Sequence, residues 1–191
     1  WHDHQYLVQH APDDDSVRIE NITPQYGTLV LAGPNAREVL SQVTDAGLGN
    51  NSFPWLSAQE IAINFTQVLA LRINYVGELG WELHVPVEYQ VSVYDELMAA
   101  GEAYGISDFG MYALDSLRLE KCYRAWKSDL VDEFTPLESM PGRFVNLDKG
   151  NFIGREALLK QQQEGVKQRL VPLLVESENT CEPIFTVAVA F

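Results

Sequence analysis

Tyr75 and Glu82 flank the turn-forming residues Gly77-Glu78-Leu79-Gly80. Strands at 68–76 and 81–86 would close a hairpin there, pairing Val76 with Trp81 and Tyr75 with Glu82. Opposed residues project to one face, which Tyr75 would share with Leu69, Leu71 and Ile73. Glu82 would then sit beside a phenol and near His84 on an apolar face, where a carboxylate is costly unless something donates hydrogen bonds to it. A one-residue slip would turn it outward, and a solvated glutamate is the favoured reading of the residue alone.

A second group is basic. Arg118, Lys121, Arg124 and Lys127 fall within ten residues and hold four of the chain's 13 Lys and Arg. They read equally as an anion-binding patch and as cations complementing the end of a helix dipole. Tyr123 and Trp126 lie among them and offer a flat apolar surface for a ring. At the N-terminus His2, Asp3, His4 and His10 contain an H-x-H spacing, but a solvated helix end or loop is favoured and no metal site is expected. No G-x-S-x-G, P-loop, G-x-G-x-x-G or H-E-x-x-H occurs, so no catalytic residue is assigned.

The elements that must carry these groups follow from apolar spacing. Val17 to Ile22 and Thr28 to Ala32 alternate as strands, and Pro34 opens a helix with Ala36, Leu40 and Val43 on one face. Asp45 to Pro54 is loop-like, and 60–65 is a short strand candidate. After the hairpin a helix places Val87, Val91, Tyr94 and Met98 on one face and ends near Gly101 or Gly105. Phe109 to Tyr123 reads as a well-buried helix, 143–147 as a strand, Asn151 to Gln163 as a helix, and 169–175 as a strand. Without regular strand–helix–strand alternation the class is α+β.

Composition narrows the function classes. The chain has 191 residues, 46% hydrophobic, with 13 basic against 27 acidic side chains for a formal charge of −14. That is globular composition, and so acidic a chain does not take nucleic acid as its main partner. No apolar run approaches the roughly 18 residues of a spanning helix. Cys122 and Cys181 form no CxxC and read as reduced, buried thiols, with a cytoplasmic location expected. The opening on Trp1 and the apolar run Val187-Ala188-Val189-Ala190-Phe191 at the end suggest a piece cut from something longer.

Four stretches in order resemble one family. Tyr75-Val76-Gly77-Glu78-Leu79-Gly80-Trp81-Glu82 resembles the Y-x-G-E-x-G-[FW]-E hairpin of the glycine-cleavage T-protein (aminomethyltransferase) superfamily. Ala113-Leu114-Asp115-Ser116-Leu117-Arg118-Leu119-Glu120-Lys121 resembles its L-R-[LI]-E helix motif, and Phe152-Ile153-Gly154-Arg155-Glu156-Ala157-Leu158 its F-[IP]-G-[RK]-x-A-L. Leu31-Ala32-Gly33-Pro34-Asn35-Ala36-Arg37 is similar to its [VL]-x-G-P-x-[AS]-R turn. Within the superfamily, Arg18-Ile19-Glu20-Asn21-Ile22-Thr23 and Arg118-Leu119-Glu120-Lys121-Cys122-Tyr123-Arg124 look most like the C-terminal folate-binding half of dimethylglycine and sarcosine dehydrogenases.

The resemblance implies a T-protein-like fold with antiparallel or mixed sheets and packed helices. Residues 1–140 would form the folate-binding part, and 141–191 a linker helix and the start of a truncated C-terminal barrel. It implies tetrahydrofolate as cofactor, a methylated amine as one-carbon donor, and a flavin domain on missing sequence or a separate chain. The family's pterin-binding glutamate falls on Glu82, where a carboxylate accepts an amino group and a ring N–H side by side. A substrate-site tyrosine falls on Tyr75 and a further aromatic on Tyr123. Leu114 stands where true T-proteins carry a folate-holding Arg, so recognition of the anionic tail passes to other cations, Arg124 and Lys127. The catalytic aspartate of the family lies upstream of the matching region, and neither Asp3 nor Asp13 to Asp15 has its strand context. Arg118 and Glu120, inside an apolar helix, are expected to be held by ion pairs or backbone hydrogen bonds and to be structural. The alternative to an enzyme fragment is a binding or interaction module that has lost the catalytic segment.

Overall fold

The computed structural model describes residues 2–139, 144–173 and, for the backbone, 188–190. It is an α+β chain that divides into two compact units, Trp1–Asn74 with Glu78–Asp108, and Tyr75–Gly77 with Phe109–Phe191. The expected boundary at 140/141 lies outside the described residues.

In the first unit, α1 (His2–Gln9) buries none of its residues, as a solvated N-terminal segment should. A four-stranded antiparallel sheet follows, built from β1 (Tyr26–Ala32), β2 (Ala58–Ile63), β3 (Thr66–Leu71) and β4 (Gly80–Pro86) in the order β1-β4-β3-β2. Its strands alternate apolar and polar, so one face carries Leu31, Ile61, Ile63, Val68, Ala70, Trp81, Leu83 and Val85 into the core. Helices α2 (Ala36–Ser41) and α3 (Gln90–Gly101) bury Val39, Leu40, Val93 and Leu97 in the same cluster. Trp81 is fully buried, edge-on to Phe53 at 6.1 Å between ring centroids. Each such large apolar side chain contributes ~1.5–3 kcal/mol, which makes this the stabilising centre of the unit.

Three expectations for this unit are corrected. Residues 17–22 form no strand; they are largely exposed, Arg18 pairs with Glu20 two residues on, and Pro24 opens a 3-10 turn. The helix after the sheet starts with a 3-10 turn at Val87–Tyr89, which breaks the 3.6-residue period. The buried stripe of α3 is therefore Val93, Leu97 and Gly101, while Val87 and Val91 are exposed. The tight hairpin is β2–β3, where Ile63 pairs with Thr66 around Asn64 at φ 53°, and β3 ends at Leu71 instead of reaching 76.

The second unit contains α4 (Met111–Glu120), α5 (Pro136–Ser139), α6 (Arg155–Glu164) and an antiparallel pair of β5 (Arg169–Val171) and β6 (Ala188–Ala190). The helix at 109–123 is shorter than its apolar pattern suggests and is not a buried one. Met111, Tyr112 and Glu120 are exposed, and Arg118 is its one buried residue. Residues 144–147 form no strand, and Arg143 lies outside the described residues. Cys122 is a free thiol at the surface instead of the interior, at φ 58° where α4 unwinds; Cys181 lies outside the described residues.

Candidate functional site

Glu82 lies on β4 between Trp81 and Leu83, both buried, so its own side chain projects from the opposite, outer face of the sheet. Its cross-strand neighbours there are Val30 on β1 and Leu71 on β3. The expected Tyr75–Glu82 pair is therefore not made. The β3–β4 register is displaced by four residues from the predicted one, because the chain leaves the sheet at Arg72. An even displacement preserves the face, so Leu69 and Leu71 still share it with Glu82. The carboxylate is 30% exposed and stands 3.8 Å from Nε2 of His84, whose Nδ1 lies 3.2 Å from the Thr28 hydroxyl. It is neither a solvated surface glutamate nor a buried one, and the His84 ring stands beside it on the same face.

The chain leaves the sheet at Arg72 for a physical reason. The Arg72 guanidinium donates to the Phe53 carbonyl at 2.6 Å and to Asn50 Oδ1 at 2.8 Å, and lies 5.9 Å above the Trp81 ring. Those bonds, with the backbone bonds of Arg72 N–H to the Ser57 carbonyl and of Leu56 N–H to the Arg72 carbonyl, hold residue 72 against the segment before β2, and pairing with β4 ends at Leu71. Gly80 then enters β4 so closely that a Cβ on it would lie 2.7 Å from the Leu31 carbonyl oxygen. The second glycine of the Gly77-Glu78-Leu79-Gly80 motif thus serves sheet assembly as well as the turn.

The second unit gathers the aromatic and basic candidates. Tyr75 and Tyr123 stack with centroids 6.0 Å apart and planes 20° from parallel, while Trp126, expected to share a surface with Tyr123, is exposed. Arg118, 6% exposed, donates from Nε to Asp115 at 2.7 Å, and from Nη1 to Asp129 at 2.6 Å and to the Tyr123 carbonyl at 2.9 Å. Asp129 also accepts the Ala125 backbone N–H at 2.8 Å. Burial alone would lower the Arg118 pKa, but the bond to Asp115 and the charge of Asp129 raise it above its ordinary value. Burial raises the Tyr75 phenol above its ordinary value; Asp129 and Asp115 add to this, and Arg118 opposes it.

The basic cluster consequently does not act as one patch. Arg118 is spent inward on two aspartates and a carbonyl. Arg124, half-buried, donates to the Leu170 carbonyl at 2.9 Å and ties α4's exit to β5. Lys121 and Lys127 are exposed, the latter on a backbone turn at φ 69°. Asp115, Asp129, Thr28 and Arg72 went unnoticed as working residues. Asp129 lies eleven residues beyond Arg118 across an irregular loop, where no periodicity links the two. In the N-terminal segment, His10 stacks on Tyr6 and bonds its carbonyl, and no group of three or more potential metal ligands gathers among the described residues.

Residues 1–149 match the family model described as the GCVT N-terminal domain. Mouse dimethylglycine dehydrogenase is 44% identical over 164 residues, covering 85% of this chain and 19% of that protein. Mouse pyruvate dehydrogenase phosphatase regulatory subunit is 38% identical over 92% of this chain and 20% of its own length. An aminomethyltransferase of Caldanaerobacter subterraneus subsp. tengcongensis is 38% identical over 81% of this chain and 41% of its own length. The chain thus spans about a fifth of the dimethylglycine dehydrogenase it matches and less than half of the aminomethyltransferase. With the hairpin, the L-R-L-E helix and the G-P turn all inside the matched span, the chain belongs to the GCVT N-terminal domain family of the T-protein superfamily.

Proposed function

We propose that the chain is a tetrahydrofolate-binding, aminomethyltransferase-like unit that hands a one-carbon unit from an N-methyl or aminomethyl donor to tetrahydrofolate. The observation carrying this reading is Glu82: a half-buried carboxylate at the family's hairpin motif, on an outer sheet face with Val30, Leu69 and Leu71, with the His84 ring beside it. A pterin brings the two adjacent N–H donors that such a carboxylate accepts. In the second unit, taken by itself, the stacked Tyr75 and Tyr123 present an aromatic surface, and Lys127 is an exposed cation of the kind a glutamate tail would use. Arg124 is the weaker candidate for that tail, being already bonded to Leu170.

On this reading residues 1–140 carry folate binding and 141–191 lead into the barrel. Oxidation of the amine belongs to a flavin domain outside these residues. Among the described residues no helix is long and apolar enough to cross a membrane. The test is calorimetry with tetrahydrofolate on the wild-type chain and Glu82→Ala. The variant should bind more weakly by ~1.5–3 kcal/mol, the loss of a charge-assisted hydrogen-bonded pair, while remaining folded. Equal affinities remove Glu82 from the site, and no binding by the wild type removes the reading.

A second reading is a binding or regulatory module without chemistry. Its support is the 38% identity to a protein named as a regulatory subunit. Folate binding without turnover, measured on the chain joined to its upstream sequence, would favour it.

A further inference from the structure

Glu82 and His84 belong to two neighbouring cross-strand rows on the outer face of the first unit's sheet. One row runs Thr28, His84, Leu69 and Glu60; the other runs Val30, Glu82, Leu71 and Ala58. His84 is held from both sides: its Nδ1 lies 3.2 Å from the Thr28 hydroxyl, and its Nε2 lies 3.8 Å from Glu82 Oε2. We propose that His84 is a positioning residue for Glu82, with Thr28 fixing its tautomer so that an Nε2–H faces one lone pair of one carboxylate oxygen and leaves lone pairs on both oxygens for the ligand.

A neutral imidazole carries one N–H and one acceptor nitrogen. Glu82 can only accept, so the N–H belongs on Nε2, and Nδ1 must then accept. The Thr28 hydroxyl, free to rotate, can donate to Nδ1, and this makes the whole array consistent: Thr28 O–H to Nδ1, and Nε2–H toward Glu82 Oε2. The reverse tautomer would put two lone pairs, one on Nε2 and one on the carboxylate, against each other. The 3.8 Å separation is too long for a finished hydrogen bond but within the reach of a small side-chain rotation. Leu71 lies directly across β3 from Glu82, and Leu69 across from His84. With one oxygen pinned, the carboxylate presents the remaining lone pairs of both oxygens in a fixed plane, which lowers the ordering cost of binding.

This inference rests on the proposed folate reading for its consequence, but its core is testable on the chain without ligand. Long-range 15N–1H correlation of the free chain should show His84 as the Nε2–H tautomer. In Thr28→Val the tautomers should mix, because Nδ1 has lost its donor. For binding, the pair of variants is His84→Phe, which keeps a ring and removes the N–H, and His84→Gln, whose amide N–H occupies the place of Nε2–H. His84→Phe should weaken tetrahydrofolate binding roughly three- to tenfold. His84→Gln should restore it to within about twofold, a rescue that loss of folding alone would not produce. An Nδ1–H tautomer in the free chain overturns the proposal, as does equal binding by wild type and His84→Phe. If the wild type fails to bind tetrahydrofolate, the folate reading falls, while the tautomer measurements still decide whether Thr28 and Glu82 govern His84.

Discussion

Arg118 shows why a motif residue need not be a site residue. Its helix motif suggested a charged group held structurally, and the structure supplies the partners: Asp115, Asp129 and the Tyr123 carbonyl. Removing the guanidinium leaves Asp129, 3% exposed, without its counter-charge. Breaking one side of a buried pair costs about 3–5 kcal/mol. Arg118→Leu should therefore lower the urea midpoint sharply, while folate bound per folded molecule changes little. Arg118→Lys should recover only part of the loss, since one ammonium cannot serve three acceptors in the planar arrangement a guanidinium spans. A variant as stable as wild type that fails to bind would make Arg118 a ligand contact. Tyr75 gives a pH test. Its raised phenol pKa means the folded state holds that proton more tightly than the unfolded chain does. The associated stability is fully present below the ordinary value of 10.0 and is lost as the pH rises through the higher folded value. Tyr75→Phe should therefore lose less stability than wild type on going above that pH, measured by denaturant unfolding. Tyr94 is also raised by its bond to Asp108, so Tyr94→Phe is the control. Residue identities at the motif were legible because each has its own chemistry; Asp129 was not, because only the folded loop brings it to Arg118.

The strands were legible where alternation coincided with a buried face, as in β1, β2 and β4. What the alternation could not report was where pairing stops. Leu71 and Ile73 continue the same two-residue pattern, yet pairing with β4 ends between them, where the Arg72 guanidinium bonds Phe53 and Asn50. Those bonds join residues 19 and 22 positions apart, beyond the reach of any local pattern. Helix faces failed for a related reason: one 3-10 turn at Val87–Tyr89 rotates everything after it. On α4 the apolar composition implied burial, but the aromatic and methionine side chains at its start are exposed. The hairpin glycine is the sharpest structural prediction of this part. Gly80→Ala would press a methyl against the Leu31 carbonyl and the Ala32 Cα, 2.7 and 3.1 Å away, both of them backbone. A side chain could swing aside; a paired strand cannot. The substitution should cost ~1–3 kcal/mol in denaturant unfolding, as overpacking does. An unchanged midpoint would mean that β1 and β4 separate there without penalty.

For the molecule as a whole, charge sets the terms on which an anionic ligand approaches. A net charge of −14 repels a folate tail, and each added glutamate makes the repulsion worse. Attraction comes from a few cations nearby, and within these residues the count is smaller than the sequence implied. Arg118 is paired inward and Arg124 is bonded to Leu170, which leaves Lys121 and Lys127 exposed in that stretch. At about 0.1 M salt the screening length is ~10 Å, so a lysine at the tail acts at nearly full strength while the distant acidic surface is damped. If Lys127 meets the tail, polyglutamylated tetrahydrofolate should bind more tightly than the monoglutamate at that ionic strength. The gap should shrink as salt rises, and Lys127→Glu should close or reverse it. Arg124→Ala should instead act mainly on stability, by releasing the Leu170 carbonyl. Titrations of both ligands at two salt concentrations separate the cases. If the monoglutamate binds better at low salt and the difference fades at high salt, the net charge governs and the cluster holds no tail. Lys121 and Lys127 would then be no more than solvated cations where α4 ends.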